Sequence, residues 1–276
     1  MDKTILNFTP TGMIPMKKDT PYVPVTPEEI IFDVKKAVEL GITMVHLHAR
    51  DPITQEPTYK KQVYAEIIYG IRAFAPDLVI CVSTSGRTFK DFASRSDVLT
   101  LEGDLKPDMA SLTLSSLNFN HEASINSPVM VMALAKEMLQ RGIKPELEVF
   151  DLGMANYAKY LIKKGLLQPP YYANIILGNI ACAQADLVHI GCIIRDMPEE
   201  TLISLGGVGN AQLSVNSLAV SMGLGVRTGL EDNYWYDTKR TKLATNIEQI
   251  QRIKEIAQLN DKTFMTPCEL RKRLQL

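Results

Sequence analysis

The pattern that most limits what this chain can fold into is an alternation, repeated eight times, of a short apolar, β-branched run and a longer stretch of helical character. Thr4 to Phe8 reads as a first strand. A Pro- and Gly-containing loop covers Thr9 to Val25. Thr26-Pro27-Glu28-Glu29 is then a capping box: Thr26 caps, Pro27 takes the first helical position and Glu29 reaches back. That helix runs to about Leu40 and stops at Gly41. The second strand begins at Ile42 and carries His46 and His48. Further strands are expected at Leu78–Thr84, Met109–Leu114, Glu146–Phe150, Tyr172–Leu177, Thr201–Leu205 and, briefly, Gly225–Gly229. The helices between them are expected near Lys60–Phe74, Asp91–Leu101, Pro128–Arg141, Met154–Lys164, Ala185–Arg195 and Gln212–Met222, with a C-terminal helix from Lys242 to Leu259. Short connections between such units imply an α/β fold, a single-domain (β/α)8 TIM barrel over residues 1–276. A doubly wound open sheet would want a glycine fingerprint after the first strand, and Thr9-Pro10-Thr11-Gly12 is not one. No linker or repeat marks a second domain.

Charge and cysteine usage exclude several functions. The formal net charge is −1, so nothing favours nucleic acid or an anionic membrane as partner. No apolar run is long enough to span a bilayer, and Met1-Asp2-Lys3-Thr4 opens no basic leader. Cys81, Cys182, Cys192 and Cys268 are scattered without a C-x-x-C pair. They read as thiols of a cytoplasmic protein and not as a disulfide frame.

Within this scaffold the informative motif is His46-Leu47-His48-Ala49-Arg50. On a strand, residues two apart face the same way, so both imidazoles can bind one divalent metal. A random H-x-H is more often a pair of core or surface histidines; the strand-end position and a late acidic partner favour metal here. In a barrel, catalytic residues sit at the C-terminal ends of strands. Polar residues collect there: Ser83-Thr84-Ser85-Gly86 after the third strand, Ser111 and Thr113 in the fourth, and Glu146 and Glu148 on one face of the fifth. Gly206 to Asn210 follow the seventh, and Arg227 with Glu231-Asp232-Asn233 the eighth.

The chain resembles the β-keto acid cleavage enzyme family, the zinc-dependent barrels that include 3-keto-5-aminohexanoate cleavage enzyme. The likeness rests on Thr11-Gly12, Pro24 to Glu29, Val45 to Arg50, Lys106 to Leu112, Pro145 to Met154 and Val226 to Asn233, in that order. It implies that His46, His48 and Glu231 hold zinc, and that Asp232 is the base, tuned by Arg227 and Glu148. It also implies that Ser83, Gly86 and Ser111 contact the substrate carboxylate and carbonyl. Two His and one Glu leave an open coordination position, the pattern of a catalytic zinc. The implied reaction moves the acyl part of a β-keto acid onto CoA from acetyl-CoA, releases acetoacetate, and takes place in a homo-oligomer, with a homotetramer as the first form considered.

The sequence departs from the family in three places. After the sixth strand stands Leu177-Gly178-Asn179-Ile180-Ala181, where members often carry more glycine. Gly207-Val208-Gly209-Asn210 lacks the Arg many members have, which leaves the CoA phosphates without an obvious partner. Met13-Ile14-Pro15 is apolar where some have an acid, so a neutral, apolar or weakly polar acyl chain is expected, unless Glu56 or Glu102 enters the mouth. Two other classes stay open: a metal-dependent hydrolase or lyase on the same barrel, which would want further His ligands, and a non-catalytic binding barrel. His121 and His189 lie away from strand ends and read as structural.

Overall fold

The computed structural model describes residues 3–276; Met1 and Asp2 lie outside the described residues. Eight parallel strands close into a barrel: β1 (Leu6–Phe8), β2 (Met44–Leu47), β3 (Val79–Val82), β4 (Met109–Thr113), β7 (Lys144–Val149), β8 (Tyr171–Leu177), β9 (Thr201–Gly207) and β10 (Gly225–Thr228). β1 pairs with β10, with Asn7 opposite Arg227, and this pairing completes the ring. Two two-residue strands, β5 (Leu117–Asn118) and β6 (Ala123–Ser124), form a hairpin above the ring, between β4 and β7. The helices are α1 (Pro27–Glu39), α2 (Lys61–Arg72), α3 (Phe92–Ser96), α4 (Pro128–Arg141), α5 (Leu152–Lys163), α6 (Leu187–Asp196), α7 (Ala211–Met222), α8 (Asn246–Leu259) and α9 (Pro267–Leu274). No helix among the described residues is long and apolar enough to cross a membrane.

The outward faces of the strands and the inner faces of the helices share one apolar core, which includes Leu6, Ile30, Val45, Ile67, Ile80, Leu134, Ile175 and Val226. Inside the barrel the side chains stack in layers, as the fold requires. The bottom layer is apolar: Ile5, Met44, Val79, Cys81 and Met109 pack with Leu270 and Leu274 of α9, which plugs the N-terminal end. The middle layer is polar. Asn7 and Asn174 donate to Glu146 Oε1 at 3.0 and 2.6 Å, and the Tyr172 hydroxyl lies 2.9 Å from Ser204 Oγ. The top layer opens to solvent and carries the site.

The differences from the sequence reading have local causes. The Asp91–Leu101 helix is one α-turn, capped by Asp91 onto the Ser94 amide, followed by a 3₁₀ turn at Asp97–Thr100, where the Thr100 hydroxyl bonds back to the Asp97 carbonyl. The C-terminal helix starts at Asn246 and not Lys242 because Thr245 and Glu248 form a capping box there. α9 was not expected, although Thr266-Pro267-Cys268-Glu269 makes the same capping box as Thr26 to Glu29. The β5–β6 hairpin is too short to leave a periodic signal.

Candidate active site

β2 ends at Leu47, so His46 lies inside the barrel and His48 one residue past the strand, on the same side. Their Nε2 atoms face each other at 3.2 Å. Glu231, carried round by the turn after β10, brings its Oε1 to 3.3 Å from His48 Nε2 and 4.0 Å from His46 Nε2. Gly12 makes this approach feasible: a Cβ there would lie 2.5 Å from Glu231 Cγ, and its φ of +64° suits glycine. The ligand atoms of the three residues lie within 4.8 Å of one another.

Their donor set fits a divalent metal. Glu231 Oε2 is buried without a hydrogen-bond partner among the described residues, which is costly unless a cation takes it. His46 Nδ1 lies 2.5 Å from Glu146 Oε2. A proton on Nδ1 leaves the Nε2 lone pair facing the other two ligands, the usual carboxylate–histidine–metal relay. Burial opposes charge on His46, but Glu146 and Glu231 outweigh it and hold its pKa up to about 9, a measure of how strongly the site attracts positive charge. Burial leaves the neighbouring His48 with a lowered pKa. A second group, His46, Cys81 and Glu146, is a hydrogen-bonded cluster and not a ligand set. Burial and Glu146 push the Cys81 thiol up, so it stays protonated and donates to Glu146 Oε2 at 3.2 Å.

Arg227, from β10, clamps the acids. Its Nε and Nη2 donate to Asp232 at 2.9 and 3.2 Å, and Nη2 also donates to Glu231 Oε1 at 2.7 Å. Burial disfavours ionised Glu231, yet Arg227 and the two histidines hold its carboxyl well below the usual range, as a ligand requires. Burial and the adjacent Glu231 leave Asp232 with a raised pKa, which makes it a better proton acceptor. Glu148 is also raised by burial; its Oε2 accepts from Thr113 Oγ1 at 2.6 Å, and its Oε1 lies 4.0 Å from Arg227 Nη1. That Nη1 is buried with no hydrogen-bond acceptor among the described residues.

His48, Glu148, Arg227, Glu231 and Asp232 open into one cavity of about 780 Å³ at the C-terminal mouth of the barrel. Ser83 also lines it. Ser111 and Gly86 do not: Ser111 Oγ accepts from the Thr84 amide, and Gly86 sits against the Ile125 carbonyl, where a Cβ would come to 2.3 Å. Met13, Ile14 and Pro15 form part of the wall, as expected, whereas Glu56 and Glu102 do not reach it. Asn210 stands at the rim, with Arg240 from the loop after β10 beside it, Nε 3.5 Å from Asn210 Oδ1. His121 reaches the cavity from the hairpin and His189 accepts a hydrogen bond from the Gln184 amide; neither joins the ligand set.

Three structural residues were not visible as such in the sequence. Glu146 orients His46 from a strand 100 residues away. Arg50, which looks like a rim cation, is buried and spends its guanidinium on the carbonyls of Gly12, Pro15 and Gln55, pinning the loop that carries the apolar wall. Arg95 likewise is buried and holds the carbonyls of Thr84 and Ile125.

Residues 3–276 match the model of the beta-keto acid cleavage enzyme family. The chain is 33% identical over 279 residues to the 3-keto-5-aminohexanoate cleavage enzyme of Fusobacterium nucleatum, covering 100% of this chain and 99% of that one. It is 32% identical to the 3-oxoadipate:acetyl-CoA acetyltransferase of Cupriavidus necator, over 99% of this chain and 94% of that one. The barrel superposes on the solved structure of ObcA with a TM-score of 0.82 at 22% identity, covering 93% of this chain and 66% of that longer one. A match over nearly the whole chain, with relatives of this identity at full length, settles the family: the chain belongs to the β-keto acid cleavage enzymes, which transfer an acyl group with cleavage of a carbon–carbon bond.

Proposed function

We propose that this enzyme uses zinc, held by His46, His48 and Glu231, to convert a β-keto acid and acetyl-CoA into acetoacetate and a new acyl-CoA. The observation that carries this reading is the convergence in one cavity of three metal-ligand side chains, a carboxylate of raised pKa in Asp232 and an unpartnered guanidinium nitrogen on Arg227. The relatives from F. nucleatum and C. necator carry names of the same reaction class.

When bound, zinc supplies Lewis-acid polarisation that makes the methylene of a β-keto acid acidic enough for a carboxylate base. Asp232 takes a proton from that methylene, and Arg227 holds Asp232 oriented by two hydrogen bonds. The spare Nη1 of Arg227 donates to the oxyanion that forms when the carbanion attacks the thioester of acetyl-CoA. The thiolate released then attacks the original ketone, and a retro-Claisen cleavage divides the adduct. Ser83, which lines the cavity, contacts the substrate carboxylate in this reading, and Ser111 and Gly86, which do not line it, support the loops behind. For the CoA phosphates the N-terminus of α7 and Arg240 offer the positive charge that Asn210 lacks. A screen of β-keto acids with acetyl-CoA on zinc-loaded protein, read by mass spectrometry of acyl-CoA products, tests the assignment. Hydrolysis of lactones or amides without acyl-CoA formation would instead support the hydrolase reading.

The relay gives one variant to test and the wall one substrate comparison. Glu146→Gln keeps shape but weakens the hold on the His46 ring, so zinc affinity is expected to fall about 10–100-fold by chelator competition. Unchanged affinity would leave Glu146 with a packing role alone. At the wall, Met13-Ile14-Pro15 offers no compensation for a desolvated ammonium. A short alkyl β-keto acid is therefore expected to exceed its amino-substituted analogue in kcat/KM. The reverse order would mean that a carboxylate, with Glu122 the first suspect, recognises the tail.

A further inference from the structure

The cavity that Ile14 lines also contains a cation that the chemistry above does not use. Arg87, on the loop after β3, lines the mouth with its side chain only 11% exposed. Its guanidinium lies over the Phe119 ring, Cζ 3.4 Å from the centroid, and Phe119 in turn packs edge-on against Phe150. The contact is built, not incidental. Gly86 has no Cβ and so lets the loop lie against Ile125, whose amide donates to the Gly86 carbonyl at 3.1 Å. This fixes Arg87 beside the β5–β6 hairpin that carries Phe119 and Glu122.

The guanidinium is short of partners. Glu122 Oε1 is 3.5 Å from Nε, an ion pair to a side chain 44% exposed, and no acceptor among the described residues takes a hydrogen bond from either Nη. Neither Nη is sealed from solvent, so the fork stands open to an anion that enters the cavity. Arg87 lines the same cavity as His48, Glu148 and Glu231, so one ligand can face both the metal ligands and the guanidinium. Arg87 therefore changes the expectation of a neutral tail drawn from Ile14 alone.

We propose that Arg87 is the specificity residue for the acyl chain, and that the substrate is a β-keto acid carrying a second, distal carboxylate that binds Arg87 bidentately. A planar carboxylate matches the fork, and the Phe119 face keeps the fork from turning away. A CoA phosphate is the other anion available, but it belongs at the open rim, and the experiment separates the two. This inference rests on the acyl-transfer reading.

The test compares 3-oxoadipate with 3-oxohexanoate, of equal chain length, on the zinc-loaded wild type, Arg87→Met and Arg87→Lys. The wild type is expected to favour the diacid at least about 10-fold in kcat/KM, in line with the value of a charge-assisted hydrogen bond. Arg87→Met should lose that preference through KM for the diacid while retaining turnover of 3-oxohexanoate and its KM for acetyl-CoA; Arg87→Lys should restore part of it. Calorimetric binding of adipate against hexanoate reads the same preference without turnover. If neither keto acid reacts yet adipate still binds more tightly and loses its advantage in Arg87→Met, the carboxylate subsite stands and the acyl-transfer reading fails. A wild type that prefers 3-oxohexanoate, a preference unchanged in Arg87→Met, or a rise in KM for acetyl-CoA alone would overturn the proposal.

Discussion

His46→Ala and His48→Ala are each expected to remove bound zinc and turnover while leaving the barrel folded. Both side chains point into the top layer and not into the apolar core that holds sheet to helices. Each removes one of only three protein ligands, so the loss of affinity should exceed the about 10–100-fold that an outer-shell partner costs. His48→Ala is the cleaner variant, because His46→Ala also leaves Glu146 Oε2 with only the Cys81 thiol as donor. Metal analysis after dialysis, alongside circular dichroism and thermal unfolding, reads both halves of the expectation. Full zinc occupancy in both variants, with native unfolding, would place the metal elsewhere.

Asp232→Asn is expected to keep zinc and lose turnover by about two to four orders of magnitude, the usual contribution of a positioned general base. Asparagine preserves the shape and can still accept from Arg227 through its amide oxygen, but it cannot take a proton. Arg227 is thereby left short of one negative charge, so the metal measurement must accompany the kinetics. A fall in kcat with zinc retained and the KM of the keto acid little changed assigns proton abstraction to Asp232. Near-normal turnover would move the base to Glu148, the other cavity carboxylate that burial pushes upward.

The barrel was legible because its signals are local. Strand–helix alternation, the Thr26 and Gly41 boundaries of α1 and the Pro128–Arg141 span of α4 are all written within a few residues of where they act. The two-residue spacing of His46 and His48 is equally local, since a strand alone decides that both face inward. What stayed hidden depends on register between distant strands. Ser111 pairs with Glu146 and Thr113 with Glu148, so which of the two acids faces His46 and which faces Arg227 is fixed by barrel stagger and not by either segment. Arg50 and Arg87 look alike in the sequence, a cation just past a strand. Only folding distinguishes the one spent on backbone carbonyls from the one left with an idle fork. α9 is a different case: its capping box was readable, and it fell outside the pattern because it is a ninth helix that closes the floor of an eight-unit ring.

The path of the acetyl carbons tests acyl exchange most directly. Zinc-loaded enzyme is given an accepted β-keto acid and acetyl-CoA labelled with carbon-13 in both acetyl carbons, and the products are read by mass spectrometry and NMR. Label is expected at C3 and C4 of acetoacetate, with C1 and C2 drawn unlabelled from the keto acid, and the new acyl-CoA should carry no label. Labelled acetate with unlabelled acetoacetate, or free carboxylic acid in place of the acyl-CoA, would contradict it.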